Sequence, residues 1–550
     1  MTLRTPCLFC GTREEPNVNE AQFDYIVVGA GSSGCTVAAR LSEDGRFRVA
    51  LVEAGPKDTS PWIHLPLGYG KTMWDERINW KLYTEPDPNM NGRRIYWPRG
   101  KVLGGCSAIN GLIAIRGQAE DYDDWARYGG DQWNYRNVLP YFRKSESFAG
   151  AANPDFHGKH GPIGVAPIRH RHPLIDAFIG SANQLGIPCN DDFNGPSQEG
   201  VGYYSLTTRN GMRSSAATGY LRPAKRRSNL RIVTDALVTK VRFEGRRAQG
   251  IDYTRDGRKM SMNARRGVIL SAGAVHTPHL MMLSGIGPAG HLKAHGIDVV
   301  ADMPGVGANL RDHLQLRLIY RCNRPITTND DLNSLTGKVK IGLQWLLTRT
   351  GPLAVGINQG GLFARVMPDA TRPDVQFHVA TLSADMAGGK VHPFSGFTMS
   401  VCQLRPESHG TIRLASADPT IPPLIHANYL DAELDRQVAV GGIRLARSIA
   451  RTGPLSQLVT REELPGESVD SKEGILDFAR QNGATIFHPT STCRMGQDDD
   501  EGAVVRPDLR VRGFDGLWIA DCSVMPTIVS GNTNLPAIMI GEKLSSSILN

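Results

Sequence analysis

The chain is 550 residues long, with 40% hydrophobic residues, 21% charged residues and 60 glycines. That balance excludes a disordered or fibrous chain and leaves room for two or more domains. The net charge of +8 arises from 62 basic and 54 acidic residues interleaved along the whole length, and clusters such as Lys225-Arg226-Arg227 lack aromatic neighbours that could stack on bases, so nucleic-acid binding is not expected.

Residues 1–20 read as a polar tail without the long apolar core of a secretory signal. Nine cysteines, odd in number and irregularly spaced, point to reduced thiols in a reducing compartment, and so to a cytoplasmic protein. Cys7-x-x-Cys10 has no second pair to complete a zinc site, and no metal site is expected elsewhere. No run approaches the about 18 apolar residues that span a bilayer, which leaves only peripheral contact with the inner face of a membrane.

The first ordered segment is expected at FDYIVVGAGSSGCTVAARLSE, followed by FRVALVEAG. Tyr25 to Val28 is a short β-rich apolar run, hence a buried strand. Gly29, Gly31 and Gly34 then form G-x-G-x-x-G, with Ser32 and Ser33 between them, and VAARLSE continues as a helix. Such glycines permit a tight turn, close backbone approach to a pyrophosphate and close packing of helix on strand. The helix start offers free N–H groups to the phosphates. A second strand, VALVE, ends at Glu53, just before Ala54, where a carboxylate can hold ribose hydroxyls. Strand, glycines, helix, strand and acid in register predict a bound dinucleotide. The motif does not separate NAD from FAD, but no second such fingerprint follows, which favours one resident flavin.

Further along, residues 99–117 read RGKVLGGCSAINGLIAIRG and could lay backbone flat against a planar cofactor or merely form a turn before a buried strand. Residues 273–287 read GAVHTPHLMMLSGIG, and residues 304–313 read PGVGANLRDH. In QLRPESHGTIRLASADP the alternating TIRLAS suits a strand of an antiparallel sheet. Residues 484–496 read ATIFHPTSTCRMG, in which His488 precedes a proline and is therefore biased into extended backbone. A lone histidine there is more often a packed core residue beside a turn. The chain closes with GLWIADCSVMPTIVSGNTNLPAIMIGEKLSSSI, read as a strand, a loop from Asp521 and an apolar helix.

Together these segments resemble the glucose–methanol–choline (GMC) oxidoreductases, FAD enzymes that oxidise alcohols, over residues 22 to 545. GAVHTPHLMMLSGIG matches the second family signature throughout, and the first matches except at Cys106, where Gly, Ser or Thr is more common. The likeness is greatest to choline dehydrogenase-like and L-sorbose dehydrogenase-like alcohol dehydrogenases. It implies an α/β (α+β composite) fold: a doubly wound, Rossmann-like FAD-binding domain and a substrate domain built on an antiparallel sheet and helices. The implied division is a tail at 1–20, a mainly FAD-binding region at 21–320, a mainly substrate-binding region at 321–484, and a return to the FAD domain at 485–550.

The resemblance also implies site residues. Non-covalent FAD would be held by the glycine loop, Glu53 and Ala54, by Arg99, Val102, Gly104, Gly105, Ser107, Asn110 and Gly111, and by Val238, Ala272, Asp521, Thr533 and Asn534. Gln315 and Phe487 would line the substrate pocket. His488 falls where the family places a histidine beside the flavin N5, with Ser491 where glycine is common, and SGNTNLP supplies Asn532 at the second family position. Alcohol oxidation needs a base near operating pH and a neutral donor for the developing alkoxide, which this pair would provide. Electrons would pass to a quinone or other carrier, with an O2-using oxidase as the alternative. A hydroxynitrile lyase shares the fold, and a photodecarboxylase shares it but lacks the histidine found here at 488.

Overall fold

A computed structural model of the protein describes residues 22–550 apart from 152, 169 and 387. The Cys7 and Cys10 reading lies outside the described residues.

The VALV strand Val49–Val52 is buried at every position, as a strand covered on both faces must be. It pairs in parallel with Gln22–Val28, which begins three residues before the expected Tyr25, and with Leu230–Val233. On its other side Gln22–Val28 runs parallel to Arg258–Leu270, which itself takes the parallel strand Leu517–Ile519. A meander of Ala236–Glu244 and Arg247–Arg255 completes seven strands. The register sets Val233, Val52, Val28, Leu270 and Ile519 abreast, so five parallel strands end at one edge. Ligands of open parallel sheets bind outside these carboxyl ends, because the loops there are free to diverge.

Helix Ser32–Leu41 packs against the C-terminal helix Asn534–Leu549. Arg40 meets the fully buried Glu542 at 2.7 Å, and Ser32 Oγ donates to Asn534 Oδ1 at 2.7 Å. The two helices therefore start side by side.

A second seven-stranded sheet is antiparallel, in the order Val459–Leu464, Leu314–Cys322, Gly396–Gln403, Val375–Ala380, Asn358–Ala364, Gly200–Tyr203, with Ala484–Thr485 also on Leu314–Cys322. Helix Glu433–Ala450 packs on Gly396–Gln403. The TIRLAS segment does form a strand, Thr411–Arg413, but it pairs with Leu424–His426 in a separate ribbon rather than joining this sheet. A short local return closes at lower entropic cost than a long-range pairing. Gly200–Tyr203 enters the sheet from far upstream and gave no strand signal, since GVGY is half glycine.

Candidate active site

One cavity of about 820 Å³ runs from the glycine loop at the first sheet to the second sheet. At its first end Gly29 turns with φ +96°, where an added Cβ would sit 2.5 Å from the Ser271 carbonyl oxygen. On Gly34 a Cβ would lie 1.9 Å from the Gly29 oxygen, so helix and loop touch backbone to backbone. Gly31 differs. Its φ of −78° is ordinary and the nearest atom to an added Cβ is 3.9 Å away, which leaves a bare stretch of backbone facing the cavity.

Ser33 Oγ and Ser271 Oγ are buried in this lining with no hydrogen-bond partner among the described residues, a cost that a ligand oxygen would relieve. Glu53 accepts from Ala30 N and Gly55 N, both at 2.8 Å, while burial pushes its carboxyl up to about 7. Asp521 ties the loops after two strands together, accepting from Gly273 N at 2.9 Å and Thr277 Oγ1 at 2.6 Å. Exposed N–H groups, orphan hydroxyls and a carboxylate at a strand end fit a dinucleotide with a pyrophosphate and a ribose diol.

Of the positions expected from sequence, Gly29, Gly31, Ser32, Ser33, Glu53, Ala54, Arg99, Gly105, Asn110, Gly111, Val238, Ala272, Gln315, Phe487, His488, Asp521, Asn532, Thr533 and Asn534 line this cavity. Gly34, Val102, Gly104 and Ser107 do not line it. Ser107 is used internally, donating to the Gly104 carbonyl at 2.6 Å and accepting from Ala216 N at 2.9 Å. The buried Arg213 also donates to Asn110 Oδ1 at 2.6 Å and thereby fixes the loop.

At the far end the chain around His488 is held rather than packed by chance. Its N–H donates to Asp312 Oδ1 at 2.7 Å, Phe487 N–H donates to Thr485 Oγ1 at 2.7 Å, and Arg99 grips the Phe487 carbonyl at 2.7 Å. Phe487 and Ser491 both adopt φ +73°, a conformation costly for side-chain-bearing residues. The left-handed turn at 491 is the physical reason a glycine is at ease there. His488 itself lies outside helix and strand and is buried.

A hydrogen-bond chain then assigns every proton. The Leu404 carbonyl can only accept, so His313 Nε2–H donates to it at 2.8 Å and the neutral ring presents an acceptor at Nδ1. His488 Nδ1–H donates to that acceptor at 3.0 Å, which leaves a lone pair on His488 Nε2. Asn532 Nδ2 approaches this lone pair at 3.2 Å. Its amide is oriented by Gln376, which donates to Asn532 Oδ1 at 3.2 Å and to Tyr204 Oη at 3.0 Å. Tyr204 in turn donates to the Phe377 carbonyl at 2.6 Å. Burial, with His313, His378 and Arg99 nearby, holds the His488 imidazole well below its ordinary value. Burial likewise brings His313 down to about 4. Both rings are neutral at pH 7.

His313, Gln376 and His378 were not found by sequence reasoning. His378 lines the cavity, is brought to about 3 chiefly by burial, and lies close to Asn532 without either ring nitrogen completing a hydrogen bond. VQFHVA is buried on both faces, so neither the polar residue nor the histidine stands out by alternation.

The sequence matches family models described as GMC oxidoreductase over residues 23–315 and 406–541. It is 41% identical to the mitochondrial choline dehydrogenase of Mus musculus, across 99% of this chain and 92% of that one. To the alcohol dehydrogenase (acceptor) of Pseudomonas putida it is 40% identical, with 96% of each chain covered. Among solved structures, a pyridoxine 4-oxidase from Mesorbium loti is similar with a TM-score of 0.86 at 29% identity, covering 95% of this chain and 98% of that one. A formate oxidase from Aspergillus oryzae gives 0.91 at 26% identity, covering 97% and 99%.

Proposed function

The chain belongs to the GMC oxidoreductase family, and from that premise we propose that it oxidises a neutral primary alcohol or polyol and passes the electrons to a quinone-like carrier. It is an FAD-dependent enzyme of alcohol oxidation. The proposed division gives residues 21–320 and 485–550 mainly to FAD and 321–484 mainly to the substrate.

The observation that carries the reading is the unprotonated His488 Nε2, which accepts from the Asn532 amide at 3.2 Å in the cavity that begins at the glycine loop. FAD, when bound, supplies the acceptor for the hydride that leaves the alcohol carbon. The glycine loop, Ser32, Ser33 and Glu53 would hold its phosphate and ribose portion, and Asp521, Thr533 and Asn534 would hold the remainder. One hydroxyl can touch both His488 Nε2 and Asn532 Nδ2. The imidazole takes its proton while the amide N–H steadies the negative oxygen. His313 keeps Nδ1 of His488 as the donor, so the lone pair cannot move to the wrong side of the ring. Burial excludes bulk water, which would otherwise compete for both groups.

Among the described residues the only carboxylates lining the cavity are Glu53 and Asp521, whereas Lys71, Arg99, Arg317 and Lys338 also line it. Gln315 supplies no charge. Such a lining disfavours a cationic substrate, although Trp62, Tyr69 and Trp80 are present as aromatic faces. Anaerobic addition of a panel of alcohols to the yellow protein should bleach it most efficiently with an uncharged primary alcohol or polyol, and quinone should restore the colour faster than air. Choline reducing the flavin more efficiently than every uncharged alcohol would overturn the substrate assignment. Faster recovery in air would favour the oxidase reading, which the likeness to two oxidases keeps in view.

We propose that the flavin is not covalently held. Relatives with a histidyl link carry the histidine in GGCSSHN, and Ile109 stands at that position here, buried in the cavity lining with a side chain that forms no such bond. Acid precipitation should release the yellow colour into the supernatant. Colour retained in the pellet would contradict this.

A further inference from the structure

Helix Leu335–Thr348 presents an apolar face that none of the described residues covers. Leu335, Val339, Leu343, Leu346 and Leu347 are between 52% and 80% exposed, while Gly337 and Ile341 anchor the opposite side. At about 100° per residue these five side chains form one stripe roughly 120° wide, with Thr336 the one polar side chain inside it. Lys340 falls along one edge and Lys338 along the other, both exposed, and Arg349 follows at the C-terminal end. The segment 335–349 contains no acidic residue.

One edge of the helix borders the cavity. Lys338 belongs to both the helix and the cavity lining, and Leu332 and Leu353, in the short helical segments Thr328–Asn333 and Pro352–Ala354 on either side, line the cavity too. Trp62 and Met386, 48% and 53% exposed, also line the cavity, so its opening is rimmed by exposed apolar side chains. Among the described residues no helix is long and apolar enough to cross a membrane. A leucine stripe with basic edges and a nearby exposed tryptophan is the composition of a helix that lies in a bilayer interface.

We propose that helix Leu335–Thr348 seats the protein on an anionic phospholipid surface, with the cavity mouth turned to the lipid. Leucines would enter the acyl boundary while Lys338, Lys340 and Arg349 meet headgroup phosphates. An alcohol or electron acceptor dissolved in the bilayer would then reach the cavity without crossing water. A second copy of the chain is the weaker occupant. A two-fold contact would bury the basic edges against a segment that has no carboxylate to receive them. The proposal concerns delivery to the cavity and stands whether or not His488 is the base.

Co-sedimentation of the flavin-loaded protein with phosphatidylcholine vesicles, with and without phosphatidylglycerol, tests it. Binding is expected to require phosphatidylglycerol and to weaken with added salt. Leu343→Glu combined with Leu347→Glu should reduce vesicle partition by more than about 10-fold. Flavin content and turnover of a water-soluble alcohol with a soluble artificial acceptor should be unchanged in that variant. The proposal falls if the unaltered protein stays in solution, or if the double variant partitions equally well. It also falls if light scattering shows a dimer that the double variant converts to monomer, because the stripe then belongs to a second copy.

Discussion

His488→Ala should retain FAD and slow anaerobic flavin reduction by alcohol by roughly 100-fold or more, the scale of a lost acid–base group. The residues of the glycine loop lie at the other end of the cavity, and the His488 side chain bonds to His313 and Asn532 rather than to any of them. The variant leaves His313 Nδ1 without its donor, a buried loss worth about 1–3 kcal/mol, so a modest fall in melting temperature is expected as well. Asn532→Ala should slow the same step by about 10-fold to 1,000-fold, and the two losses should not add, since both groups act on one oxygen. The pH profile carries a sign. His488 must be unprotonated to accept the hydroxyl proton, and burial holds its pKa low. The rate should therefore be insensitive to this group from neutral pH upward and fall only on the acid side of the usual imidazole range. A packed core histidine predicts the opposite pattern: lower melting temperature and flavin content, with the remaining flavin reduced at a near-normal rate. Rapid mixing on the flavin-loaded fraction separates the two.

Gly31→Val and Gly34→Ala should fail in different ways. At Gly31 the backbone angle is ordinary and the fold offers room for a side chain, so the apoprotein should fold with near-normal stability. The room is the cavity itself, however, and FAD affinity should fall roughly 5-fold to 150-fold, equivalent to about 1–3 kcal/mol, the scale typical of overpacking. At Gly34 even a methyl group meets the Gly29 carbonyl oxygen at 1.9 Å, so the helix must shift and both melting temperature and flavin content should drop. Flavin titration of refolded apoprotein, beside thermal melts without flavin, reads the two effects separately. If Gly31→Val binds FAD as tightly as the unaltered protein, the loop is not the phosphate cradle.

What could be read in advance follows from how local each feature is. The first strand, the glycine turn, the helix and Glu53 occupy some thirty consecutive residues, and short-range sterics dictate their arrangement. That His488 stands outside any helix was likewise legible from Pro489. Its partners were not. His313 reaches it from a distant segment and is itself held by Leu404, while Gln376 orients Asn532 from a strand buried on both faces, where polar residues lose the alternation that would betray them. Family resemblance placed Asn532 beside the histidine, whereas the amide's orientation depends on Gln376 and Tyr204, which only the folded chain brings together. Strand Gly200–Tyr203 was hidden for another reason: its pairing lies more than 150 residues downstream, with Asn358–Ala364.

The bond between Ser32 and Asn534 spans 502 positions in the chain. On the ribosome the first half of the proposed dinucleotide cradle therefore waits for its second half while nearly the whole polypeptide is made, an interval of roughly 25 to 100 s at about 5–20 residues per second. Through that time helix Ser32–Leu41 lacks the apolar surface it later buries against Asn534–Leu549, and its Arg40 lacks Glu542. Nascent chains should need shielding there, and flavin loading becomes a late event, completed only when residue 534 and the helix behind it have emerged from the exit tunnel.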